Sequence, residues 1–124
     1  MEKDESAFFA EQPEAALLYE AIKAKLRTYF NDATIKVTKS QIAFASKRNF
    51  AFVWLPMRKM KHRPEAYIIL SFGLDHRIQS PRIEEAVEAY PCRWTHHMII
   101  QDPAELDGEV MDWLQQAYAF SQSR

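Results

Sequence analysis

The sequence predicts a small α+β domain, an antiparallel sheet of four or five strands packed against an N-terminal and a C-terminal helix. Three observations lead there. Apolar residues recur at spacings of three and four near both ends, over about 13–30 and 102–120. Between them the pattern changes to period two, the repeat of a half-buried strand. A chain of 124 residues with 48% hydrophobic and 13% aromatic content can fill one packed core, and two separate cores would be hard to build at this length.

In chain order, residues 5–10 predict a short helical turn anchored by Phe8 and Phe9. Pro13 suits the first position of a helix, where its missing N–H costs nothing. Leu18, Ile22, Leu26 and Tyr29 then form one buried stripe, widened by Tyr19, with Glu14, Glu20, Lys23 and Arg27 left for the wet side. Asn31-Asp32 ends this helix. Thr34–Thr38 alternates polar and apolar residues as a strand does, and Gln41–Ala45 places Ile42 and Phe44 on one face. Ser46–Asn49 reads as a hairpin loop, because Asn tolerates a positive φ. Phe50–Leu55 is apolar on both faces, so it should be a central strand. Arg58–Pro64 is a basic connector. Tyr67–Phe72 is a further strand, with Gly73 allowing a turn after it.

Residues 80–90 fit two structures. Ser80-Pro81 would cap and start a helix carrying Ile83, Ala86, Val87 and Tyr90, and local propensity favours it. Alternatively, Ile83–Glu88 is a strand whose hairpin partner is Arg93–Ile100. That second segment reads as a strand with Trp94, His96, Met98 and Ile100 on one face and Thr95, His97 and Ile99 on the other. Asp102-Pro103-Ala104-Glu105 combines an N-cap, a first-turn proline and a capping-box glutamate. A helix is expected from there along Leu106, Val110, Trp113, Leu114, Ala117 and Phe120. Gly108 in its interior would cost roughly 1 kcal/mol relative to Ala. The chain is read as a single domain over 1–124, with 1–12 and 121–124 loosely ordered.

Composition narrows the function classes. Two glycines leave no room for a phosphate-cradling Gly-rich loop, and neither the P-loop nor the dinucleotide fingerprint is present. Cys92 is the single cysteine, so no intramolecular disulfide forms and a cysteine-rich zinc site is excluded, which suits a reducing cytoplasm. The acidic amino end lacks a secretory pattern, and no apolar run approaches the roughly 20 residues of a membrane span. A cytoplasmic location is therefore expected. The net charge of -1 hides an asymmetry: acidic residues dominate both ends, whereas 34–82 carries 10 basic and 2 acidic side chains. Such a segment can meet an anionic partner or offset the acidic ends of its own chain.

The most chemically expressive run is 90–107, YPCRWTHHMIIQDPAELD. His96 and His97 are adjacent, so on a strand they point to opposite faces and cannot both bind one metal ion without a bulge. His62, His76 and Cys92 show no spacing that would complete such a site. His96, beside Trp94 and Met98, reads as a core histidine, and His97 as lying on a more open face with Glu84 or Glu88 as its cross-strand neighbour. His97 with Glu88 could do acid–base work, and Lys39 could polarise a phosphate or carbonyl. No nucleophile is signalled, since Ser40, Ser46 and Ser71 sit in no elbow motif. Lys47 and Arg48 fall in one loop and Arg58, Lys59, Lys61, His62 and Arg63 in another. In a meander those loops leave the sheet at opposite ends, which argues against one nucleic-acid patch.

TKSQIAF at 38–44, VWLP at 53–56, WTHH at 94–97 and ELDGEVMDWLQQAY at 105–118 occur in an order and spacing that resemble a bacterial domain-of-unknown-function family, number 5655, from about Phe8 to Phe120. Members look like stand-alone small proteins or the carboxyl ends of longer ones. Some are labelled predicted transport proteins, a label to which this chain adds no transmembrane segment. The resemblance implies an α+β fold, favours the strand over 80–90, and marks Lys39, Gln41, Trp94, His96 and His97 as motif positions. It implies no reaction.

The leading expectation is a non-catalytic module that binds a protein or a small anionic ligand through Lys39, Gln41, Arg48, Trp94 and His97. The alternative is a small enzyme using His97 or His96 with Lys39 in acid–base chemistry, and a second is a nucleic-acid-associated protein acting through the basic middle. No metal, cofactor or membrane partner is expected. A homodimer is one way to cover three tryptophans in so small a core.

Overall fold

The computed structural model describes residues 3–55 and 67–123. Helices α1 (Lys3–Phe8) and α2 (Pro13–Tyr29) precede strands β1 (Thr34–Val37), β2 (Ile42–Ala45), β3 (Asn49–Trp54), β4 (Ile68–Leu74), β5 (Glu85–Tyr90) and β6 (Arg93–Ile100). A 3-10 turn (Pro103–Glu105) and helix α3 (Gly108–Gln122) complete the chain. The fold is α+β, as the two periodicities predict, with six strands where four or five were expected. Neighbours in the order β1-β2-β3-β4-β6-β5 pair antiparallel throughout. Residues 85–90 form a strand, not the helix that local propensity favours. Pairing to β6 overrides propensity there: Pro91 presets the turn and Cys92 takes a φ of 65°, returning the chain at once into β6.

One face of the sheet is sealed by α2 and α3. Ile42, Phe44, Val53, Leu70, Phe72, Met98 and Ile100 are all at most 1% exposed. They pack with Leu18, Tyr19, Ile22 and Leu26 of α2 and with Val110, Trp113, Leu114 and Ala117 of α3. Each of the larger aliphatic side chains contributes about 1.5–3 kcal/mol by leaving water. The Phe72 ring stacks between His96 at 5.2 Å and Trp113 at 6.1 Å. By strand alternation the other face carries Phe52, Trp54, Ile69, Thr95, His97 and Ile99, and every one of these is half-buried.

Several local expectations are corrected. Tyr29 is 50% exposed, and its place in the core is taken by Phe30, which packs on Phe50 and Tyr118. Lys23 is not on the wet side: it pairs with the buried Glu5 of α1 at 2.9 Å, and the Tyr19 hydroxyl donates to the same carboxylate. Burial and that carboxylate push the Tyr19 phenol upward. This polar knot ties α1 to α2, so the amino end expected to be loose carries a docked helix. At the other end α3 continues to Gln122 and buries Ser121.

The Asp102 capping box forms as read, but it caps a single 3-10 turn. Asp107 then caps α3 through Val110, which puts Gly108 in the first turn and not in the interior. Asn49 begins β3 and has no positive φ. Gly73 lies inside β4, where a Cβ would come within 2.5 Å of the Arg93 guanidinium carbon; it provides room for a side chain, not a turn.

Candidate functional site

Strand direction brings six chain segments to one end of the sheet. These are the β1–β2 turn, the end of β3, the start of β4, the end of β6, the start of β5 and the connection between α1 and α2. Between them lies a cavity of about 900 Å³. Its described wall is largely apolar in area, with Phe8, Trp54, Leu55, Tyr67, Ile69 and Ile99, and its charged groups are Lys39 and the carboxylates of Glu11, Glu84 and Glu85, with His97 beside them. That balance, at this size, is typical of small-molecule sites.

Lys39 and Ser40 reach the cavity because they are the two central residues of a tight hairpin turn. Thr38 N–H donates to the Gln41 carbonyl at 2.9 Å, and Gln41 N–H donates to the Thr38 hydroxyl at 3.2 Å. His97 reaches it from β6. Its Nδ1 lies 2.6 Å from Ser71 Oγ on β4, the residue paired with it in register. Ser71 is fully buried, and among the described residues its hydroxyl has no other hydrogen-bond partner. A buried hydroxyl needs an acceptor, so Ser71 donates to Nδ1 and the neutral ring carries its proton on Nε2. The cross-strand neighbour of His97 is Glu85, not Glu84 or Glu88; Glu88 faces Trp94. Glu84 instead donates its backbone N–H to the His97 carbonyl at 2.8 Å. The indole Nε1 of Trp54 is buried with no hydrogen-bond partner among the described residues.

His96 has the opposite arrangement. It is fully buried on the helix-covered face, and its Nε2 accepts the Ile78 N–H at 2.9 Å, so its proton sits on Nδ1. Burial, opposed in part by the Phe72 and Trp94 backbone, holds its pKa below the ordinary histidine value. It pins the loop after β4 to the core and is remote from solvent chemistry.

Of the five residues expected to bind ligand, the cavity therefore unites Lys39 and His97. Gln41 closes the hairpin turn through its backbone and is not among the cavity-lining residues, and Arg48 lies in the β2–β3 turn at the opposite end of the sheet. Trp94 opens β6 at that opposite end, with the Arg77 guanidinium 5.9 Å over its ring. The basic residues Arg58, Lys59, Lys61, His62 and Arg63 lie outside the described residues. Sequence reading missed Trp54, Tyr67, Ser71 and Glu85 as site residues. The usable signal was register, since Ser71 and Glu85 flank His97 once β4, β6 and β5 are paired. Among the described residues no group of three or more His, Cys, Asp or Glu side chains is placed to hold a metal ion. No described helix is long and apolar enough to cross a membrane.

Comparisons with curated proteins and with solved structures found no match. The family described as "Domain of unknown function (DUF5655)" matches residues 5–121, which takes in every element from α1 to α3. On that match over nearly its whole length, the chain belongs to the DUF5655 family.

Proposed function

We propose that this domain is a non-catalytic binding module that takes a small ligand with an apolar body and an acidic group into the cavity at the lower end of the sheet, beside the β1–β2 turn. One observation carries the reading. A mostly apolar wall carries Lys39 and His97, the basic side chains among its described residues, beside the carboxylates of Glu11, Glu84 and Glu85. Gln12, the N-cap of α2, also lines the cavity and makes no side-chain cap, so the partial positive charge of that helix end favours the same sign of ligand.

The natural probe is a medium-chain fatty acid. Dodecanoate titrated against the protein should quench or shift tryptophan emission and bind at least tenfold more weakly to Lys39→Met. Dodecanoate binding that is absent, or indifferent to Lys39→Met and Trp54→Phe, would remove this reading.

An enzyme using His97 with Lys39 is the second reading, supported by their shared place on the cavity wall. Ser71 itself is enclosed and does not serve as a nucleophile. That reading requires turnover of some bound acid, abolished by His97→Gln with binding retained.

A further inference from the structure

We propose, resting on the binding reading above, that capture of an anion in this cavity is coupled to the uptake of a proton by His97. The two adjacent histidines make the case by contrast. The Nε2 of His96 accepts the Ile78 N–H at 2.9 Å, and a backbone N–H can only donate. A proton arriving there would break that bond inside the core, a step that burial also resists. The Nδ1 of His97 lies 2.6 Å from Ser71 Oγ, and a hydroxyl both donates and accepts. Ser71 donates to the neutral ring and can turn to accept from the charged one. His97 is therefore the member of the pair that can change charge in place, and it is the one on the cavity wall.

The lining supplies the reason for the coupling. Among the described residues, His97 shares the cavity with Lys39 of the β1–β2 turn, Glu11 before α2, and Glu84 and Glu85 at β5, where Glu85 is its register partner. Its β4 partner Ser71 is uncharged. One ammonium thus stands against three carboxylates while His97 is neutral. An entering anion adds a fourth negative charge to a largely apolar space, where charges interact more strongly than in water. A second cation offsets it, and histidine is the side chain that gains charge between about pH 8 and pH 5. The carboxylates favour a charged ring. Turning Ser71 to accept opposes it, because the hydroxyl hydrogen is then stranded in the core. A ligand anion near Nε2 adds to the first influence, so anion and proton each tighten the other by linkage.

The probe is decanesulfonate, which stays anionic throughout, titrated calorimetrically into the intact protein at about pH 6, 7 and 8. Dodecanoate runs beside it at about pH 7 and 8. Repeating the pH 7 titrations in two buffers of different ionisation enthalpy counts the protons taken up. A measurable fraction of one proton per bound anion is expected, with sulfonate affinity about three- to tenfold higher at pH 6 than at pH 8. His97→Gln should abolish the uptake. In protein labelled with ¹⁵N at histidine, decanesulfonate at pH 7 should move the His97 ring toward the imidazolium pattern and leave His96 neutral. Binding of either anion without proton uptake overturns the coupling and leaves the acid-binding reading intact. Uptake that survives His97→Gln, or a His97 ring that stays neutral with the anion bound, overturns the assignment to His97. Failure of both anions to bind ends both readings. Circular dichroism checks that the variant keeps its fold.

Discussion

His96 and His97 are neighbours in the chain and opposites in every physical respect. The first faces the helices, is fully buried, and gives its Nε2 lone pair to a backbone N–H. The second faces the cavity, is half-buried, and gives its Nδ1 lone pair to a serine hydroxyl. The same contrast holds for whole faces of the sheet. One is closed by two helices and filled with large aliphatic and aromatic side chains; the other carries half-buried aromatics around a cavity lined also by Lys39, His97 and three glutamates. On the reading proposed above, the sealed side of the sheet carries the stability and the half-open side the binding.

Paired substitutions across the two faces can break this contrast. The largest effect is expected from Trp113→Ala, which removes a 7%-exposed anchor of α3. It should cost about 3–5 kcal/mol, enough to threaten folding in a domain of ordinary stability. Trp54→Ala, on the cavity side, should cost less than half as much in the same urea titration. Equal losses would show that the second face is also core.

Next in size is His96→Ala, which leaves the buried Ile78 N–H without its acceptor and opens a hole beside Phe72. A loss of about 2–4 kcal/mol is expected. His97→Ala orphans the buried Ser71 hydroxyl but removes only a half-buried ring, so a smaller loss of about 1–2 kcal/mol is expected. If His97 proves the costlier of the two, the assignment of structural and ligand-facing roles is reversed.

A smaller effect is a pH slope. The folded pKa of His96 is depressed by burial, so below about pH 6.5 the unfolded chain takes up a proton that the native protein refuses. Its contribution is present above the unfolded value and lost as the pH falls toward the folded one. Urea midpoints should therefore decline from about pH 7 downward, and His96→Ala should flatten that decline. Asp107, held low by the Val110 N–H and Arg82, and Asp32, held low by Ser46 and Tyr118, act in a separate and more acidic window. Their contribution is present above about pH 4 and lost as the pH falls through their folded values.

Much of the fold was legible because it rests on local rules. The stripe of α2, the alternation of β1 and β6, and the Asp102 capping box each follow from a few neighbouring residues, and each is present. What local rules could not supply was pairing. β5 looks helical until β6 is set beside it, and Tyr29 looks buried until Phe30 meets Tyr118. Lys23 looks solvated until the first helix delivers Glu5. The site was legible in the same proportion. Lys39 and His97 stood out as chemically capable residues in motif positions, whereas Ser71, Trp54 and Glu85 acquire meaning only when the register puts them around His97. Gln41 and Trp94 were grouped with them as motif positions of the resemblance and Arg48 as a nearby base, and none of the three lines the cavity.

The contrast between the two histidines can be read directly from their ring protons. In a protein labelled with ¹⁵N at histidine, long-range correlation spectra at about pH 8 distinguish the two neutral tautomers. His96 should carry its proton on Nδ1, because Nε2 accepts from Ile78, and His97 should carry its proton on Nε2, because Nδ1 accepts from Ser71. Ser71→Ala should disturb the second pattern and leave the first untouched. Identical tautomers at the two positions, or a His97 pattern indifferent to Ser71→Ala, would contradict the division of this sheet into a structural face and a ligand-facing one.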